Sequence, residues 1–162
     1  MYFAIDPGNR ESAYVLADSS LMPLEFGKED NETVKDVIKT MSYEHFAIEM
    51  VASYGMAVGR DVFDTCVWIG RFCEVAIEKG IKPIKVYRKD VKMNLCHSMK
   101  AKDGNIMQAL IDRFAYGARN HGKGTKDNPT QFYGFRADIW QAYAVCVTYH
   151  DLYIMKQEGC IQ

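Results

Sequence analysis

A chain of 162 residues, 48% apolar and 25% charged, has the composition of a soluble globular protein and is read as one domain, residues 1–162, with mass for a substantial core. No apolar run approaches bilayer length, and the five cysteines (Cys66, Cys73, Cys96, Cys146, Cys160) are scattered without a CxxC pair. A membrane span, a zinc site and a disulfide framework are therefore not expected, and a reducing cytoplasm is the simplest setting. The net charge of −1 hides an uneven distribution: Lys79 to Arg136 holds 13 Lys/Arg against 4 Asp/Glu, a balance of +9, and the remainder carries −10. A basic segment in a near-neutral chain suits a polyanionic partner such as nucleic acid, as well as an ordinary solvated face.

In chain order, Tyr2, Phe3, Ala4 and Ile5 form a short apolar run of strand formers, which Asp6 closes and Pro7-Gly8 turns away. Residues 12–17 read as a second strand and 21–25 as a possible third, joined by short polar turns into an antiparallel meander. Asn31 can cap a helix through about Met41, with Val34, Val37, Ile38 and Met41 at helical spacing. Residues 45–50 (HFAIEM) are another strand, with an acid, Glu49, near its end. A glycine-punctuated connector over 51–59 leads to a long amphipathic helix, 60–79, stopped at Gly80. Its apolar face is read as Val62, Phe63, Cys66, Val67, Ile69, Phe72, Cys73 and Ile77, with Trp68 and Met56 suited to core or interface.

Residues 81–87 return as a strand, Asp90-Val91-Lys92 leads into a short helix, and 103–114 forms another. The stretch 116–130, rich in Gly, Asn and Lys, reads as an exposed loop that is partly disordered without a partner. A last helix starts near Arg136 or Asp138 and runs past Leu152, with Ala142, Val145, Cys146 and Tyr149 facing the core. This order of strands and helices gives an α/β domain, a mixed sheet with helices on its faces.

Three acids, Asp6, Glu49 and Asp138, each stand at or near the end of an element. Carboxylates far apart in sequence and gathered at element ends are how a two-Mg²⁺ site is assembled, because shared oxygen ligands hold two cations against their repulsion. Read alone, Asp6 equally suits the Asp-Pro-Gly turn and Asp138 equally suits a helix start. The histidines (His45, His97, His121, His150) show no metal-ligand spacing, though His97 and His121 lie in the basic segment.

These motifs, in this order, resemble the RuvC family of Holliday-junction resolvases, especially its phage-type members, within the RNase H-like (retroviral integrase) superfamily. Asp6-Pro7-Gly8 followed by Ser12-Ala13-Tyr14-Val15-Leu16 is similar to the family's first strand, turn and second strand. Ile48-Glu49 resembles its second acidic motif. Val91-Lys92, Lys100-Ala101-Lys102-Asp103 and Met107-Gln108 resemble its basic DNA-binding segment, and the stretch from Asp138 to Val145 resembles its closing acidic helix. Where the family commonly has a second aspartate in that helix, this chain has Gln141, which weakens a fourth ligand position.

The resemblance implies an RNase H-like mixed central sheet flanked by helices. It implies a homodimer whose two sites cut opposite strands of a four-way junction, leaving 5′-phosphate and 3′-hydroxyl ends. Asp6, Glu49 and Asp138 are then the catalytic and metal-binding residues for two Mg²⁺ ions per site, with Mn²⁺ as a substitute and Gln141 beside them. Lys85, Arg88, Lys89, Lys92, Lys100, Lys102, Lys123 and Lys126 are the candidate DNA-binding residues. The setting is the cytoplasm, that of the bacterial host for a phage-encoded chain. Two other readings stay open: a less selective RNase H-like nuclease acting on flaps or hybrids, and a DNA-binding module with weakened catalysis.

Overall fold

The structure, a computed structural model, describes residues 1–53, 55 and 57–155; Met56 and Cys160 lie outside them. Among the described residues the sheet has five strands: β1 (Tyr2–Asp6), β2 (Glu11–Ala17), β3 (Pro23–Asp30), β4 (His45–Met50) and β5 (Pro83–Tyr87), in the order β3-β2-β1-β4-β5. β1, β2 and β3 form the expected antiparallel meander, while β4 and β5 run parallel to β1. Parallel neighbours need crossover connections. Helices α1 (Asn31–Thr40) and α2 (Arg60–Glu78) supply them and cover one face of the sheet, over Phe3, Ile5, Phe46 and Ile48. Helix α5 (Ala137–Tyr149) covers the other face, over Ala4, Ala13, Val15 and Ala47. Helices α3 (Arg88–Cys96) and α4 (Asp103–Phe114) pack on α5 from outside. This is the mixed sheet flanked by helices that the sequence predicts.

Because α5 lies between the sheet and α3–α4, every residue from Ile139 to Tyr149 is buried, well beyond the four expected to face the core. A helix that is apolar all round belongs in the interior. After Tyr149 the chain continues as a wider π turn, His150–Met155. There Asp151 accepts two hydrogen bonds from Arg113 on α4, at 2.6 and 2.9 Å, and one from Asn94 on α3 at 2.8 Å.

Several expectations are corrected. β3 extends to Asp30, because its charged residues, useless for burial, still pair as an edge strand along β2. The cap of α1 is Asp30, whose carboxylate accepts from the Thr33 N–H at 3.0 Å. Asn31 is buried instead: it accepts from the Ser12 hydroxyl at 2.6 Å and donates to the Gly8 carbonyl at 3.0 Å. Together with the Gly8 N–H donating to Ser12 Oγ at 3.1 Å, it pins the turn that follows Asp6. Glycine is required at position 8, since a Cβ there would stand 2.3 Å from the Glu11 carbonyl oxygen.

On α2 the buried stripe is Thr65, Ile69, Phe72, Val75 and Ala76; Phe63, Val67 and Ile77 point to solvent. The helix carries two apolar stripes, and the sheet accommodates one. The segment 116–130 is also ordered among the described residues. It folds into a short 3₁₀-type turn, Arg119–Gly122, broken by left-handed backbone at Asn120 and His121, and a bridge between Gly124 and Pro129. Phe132 and Phe135 beyond it are buried against Trp140 and Tyr143 and tie the excursion to α5. No helix among the described residues is long and apolar enough to cross a membrane. The four cysteines among them are free thiols.

Candidate metal centre

Sheet register builds the site. Asp6 pairs with Ala13 of β2, and Ala13 with Lys28 of β3; on the other side Ile5 is level with Ile48, so Asp6 is level with Glu49. Lys28, Ala13, Asp6 and Glu49 thus form one row across four strands. Side chains in a row share a face. That face is the one covered by α5, whose first turn presents Asp138 and, one turn further on, Gln141. Ala13, small and buried at the centre of the row, leaves room for the longer side chains on either side.

Asp6 and Glu49 sit side by side at the carboxyl ends of two central parallel strands, where open α/β sheets collect their chemistry. Burial, reinforced by the negative charges of Glu49 and Asp138, pushes the Asp6 carboxyl up to about 8. Burial also raises Glu49, opposed by the neighbouring Arg88 guanidinium at 3.5 Å. The closeness of the two acids favours the protonated form of Asp6 and the charged form of Glu49. Asp138 pairs with Lys28, Oδ2 to Nζ 2.6 Å. Gln141 is buried, and among the described residues its Oε1 has no hydrogen-bond partner. A buried unsatisfied carbonyl is expensive, and a cation held beside the acids would satisfy it.

Three adjoining clefts, of about 600, 220 and 380 Å³, open on this end of the molecule, and Asp138 lines all of them. Glu49 lies beneath, its side chain 13% exposed. The donor set (three carboxylates and an amide carbonyl) is all oxygen, and burial among negative charges raises the Asp6 carboxyl. Both features fit a hard divalent cation such as Mg²⁺. Among the described residues no three His, Cys, Asp or Glu side chains converge on one point as the structure stands, with Asp138 on Lys28.

The basic residues divide. Arg88 reaches both Glu49 and Asp103, and Lys92 lies near enough to Glu49 to favour its charged form. Lys100 and Lys102 sit on the turn into α4, beside Asp103. Lys89 lies over the Tyr87 ring. Lys85, level with Ile48, projects to the opposite face, toward Cys73 of α2. Lys123 and Lys126 follow the 3₁₀ turn at the far end of α4, about 18 Å along a twelve-residue helix from Asp103. The eight candidate residues therefore do not form one continuous patch. Lys28 lies beyond the strand predicted over 21–25, and its place in the row depends on β3 continuing to Asp30.

No protein-family model and no curated protein matches the chain. Solved structures do. RuvC of Thermus thermophilus superposes with a TM-score of 0.67 at 15% identity, over 96% of both chains. The same protein in complex with Holliday junction substrate gives 0.69 at 14% identity, over 96% of this chain and 94% of that one. Fowlpox virus resolvase, in complex with substrate Holliday junction DNA, gives 0.58 at 11%, over 93% and 99%. The chain therefore has the RuvC-like, RNase H-like fold.

Proposed function

We propose that this chain is a divalent-metal-dependent endonuclease that resolves four-way or related branched DNA, hydrolysing paired phosphodiesters to leave 5′-phosphate and 3′-hydroxyl ends. The observation that carries this reading is the pairing of Asp6 with Glu49 on adjacent strands, with Asp138 and the unbonded Gln141 carbonyl presented by α5 above them. The fold likeness supports the substrate class, since two of the similar structures are complexes with Holliday junctions.

Asp6, Glu49 and Asp138 would hold the cations, Mg²⁺ or Mn²⁺, and Gln141 would add a neutral oxygen. When bound, two such ions supply activation of water and neutralisation of charge on the leaving 3′ oxygen. The chain's own groups do the rest. Arg88 holds Glu49 in place from the β5 side, while Lys92, Lys100 and Lys102 offer cations to the incoming phosphates. Opposed cuts require two sites. The exposed stripe Phe63 and Val67, with Arg71 stacked over Trp68 at 4.6 Å, supports α2 as the surface on which two copies meet.

The test is incubation of the protein with a synthetic four-way junction, a linear duplex, a flap and an RNA–DNA hybrid, in Mg²⁺, in Mn²⁺ and in EDTA. Paired symmetric cuts in the junction alone, lost in EDTA, are expected. Equal cutting of flaps or hybrids would make the chain a less selective nuclease. Junction binding without cutting would make it a DNA-binding module, the reading that Gln141 in place of an aspartate keeps open.

A further inference from the structure

The row across the sheet contains one charged residue that the proposed chemistry does not use. Lys28 is level with Ala13, which is level with Asp6, so its side chain crosses the small alanine toward the acids. Its ammonium lies 2.6 Å from Asp138 and 3.7 Å from Glu11, and it lines the same cleft as Asp6 and Asp138. The pair adds little to stability, because Lys28 and Asp138 are 42% and 43% exposed. Its position has another consequence: a monovalent cation already stands on the carboxylate that α5 brings to the metal centre.

We infer that Lys28 is a resident counter-ion of this site, competing with divalent cations for Asp138 and so setting the cation concentration at which the site fills. The inference rests on the metal-centre reading above. Glu11 completes the device. When a cation takes Asp138, a second carboxylate on the neighbouring strand is in reach of the displaced ammonium, so the exchange strands no charge. Lys28 is a positioning residue in this scheme, acting through Asp138.

The experiment measures Mn²⁺ binding calorimetrically to the metal-free protein without DNA, for the parent, Lys28→Met, Lys28→Arg and Asp6→Asn, with circular dichroism to establish folding. Removing the competing charge should tighten Mn²⁺ binding about three- to tenfold, the range expected for an exposed ion pair and the repulsion beside it. Lys28→Arg should return to the parent affinity, and Asp6→Asn should lose binding. In junction cleavage, the Mg²⁺ concentration for half-maximal rate should fall by the same factor in Lys28→Met. Unchanged or weaker Mn²⁺ binding by folded Lys28→Met overturns the inference and leaves the metal centre standing. Lys28→Arg binding as tightly as Lys28→Met also overturns it, since charge would not be the cause. A parent that binds no Mn²⁺, or an Asp6→Asn variant that binds like the parent, overturns the metal centre and this inference with it.

Discussion

Replacing Asp6 with Asn should stabilise the metal-free protein, and should do so only toward neutral and alkaline pH. The Asp6 carboxyl ionises near 3.8 when exposed and is pushed up to about 8 in the folded chain by burial and by Glu49 and Asp138. A raised acid binds an extra proton in the folded state across that window, so its contribution is fully favourable below pH 4 and is lost as pH rises to 8. At about 1.4 kcal/mol per pH unit, parent stability falls by about 3 kcal/mol between pH 5.0 and 7.5 on this account. Asn carries no such proton and can still donate to Glu49. In a chain of this size the difference corresponds to about 6–12 °C in Tm. Thermal melts of parent and Asp6→Asn in EDTA, at pH 5.0 and 7.5, measure it. A stabilisation of equal size at both pH values, or a variant less stable at pH 7.5, would refute the reasoning.

In the junction assay, Glu49→Gln and Asp138→Asn should each abolish cleavage while gel-shift affinity stays near the parent, since phosphate contacts supply most of the binding. Gln141→Ala should lower the rate less than loss of any acid, and Gln141→Asp should tighten Mg²⁺ binding; a Gln141→Ala variant as inactive as Asp6→Asn would make Gln141 a required ligand. The double variant Lys89→Ala/Lys92→Ala should flatten the dependence of log affinity on log salt by about 1.8, and Lys85→Ala, on the opposite face, should leave it unchanged. Gly122→Ala should destabilise by about 2–4 kcal/mol in urea melts. Its φ is +77°, and a Cβ would stand 2.5 Å from that of Ala115 and 2.9 Å from the Phe132 ring.

Asp6 and Glu49 were legible in the sequence because strand ends concentrate meaning: a buried run of β formers leaves an acid few places to go except its mouth. The order of strands and helices carried the mixed sheet in the same way. Lys28 was not legible. The run of charged residues that closes β3 has the composition of a solvated turn, and only pairing with β2 turns alternate members toward the acids. α2 misled for the opposite reason, since periodicity reports apolar stripes without saying which of two meets the sheet. Asn31 looked like a helix cap because its type suits one; tertiary contacts with Ser12 and Gly8 assigned that task to Asp30. The order in 116–130 depends on Phe132 and Phe135, which lie outside the polar stretch that suggested disorder.

Those two phenylalanines act as a dowel between the excursion and α5. With both rings wedged against Trp140 and Tyr143, the start of α5, and hence the placement of Asp138, is decided after the excursion has returned. The tip of the excursion, the exposed turn 126–129 closed by the bridge between Gly124 and Pro129, precedes those anchors in the chain. Insertions, deletions or an attached dye at that tip should leave α5 in register. The excursion is a place where length and chemistry can be varied while the placement of Asp138 is kept, and where an engineer can graft a reporter group.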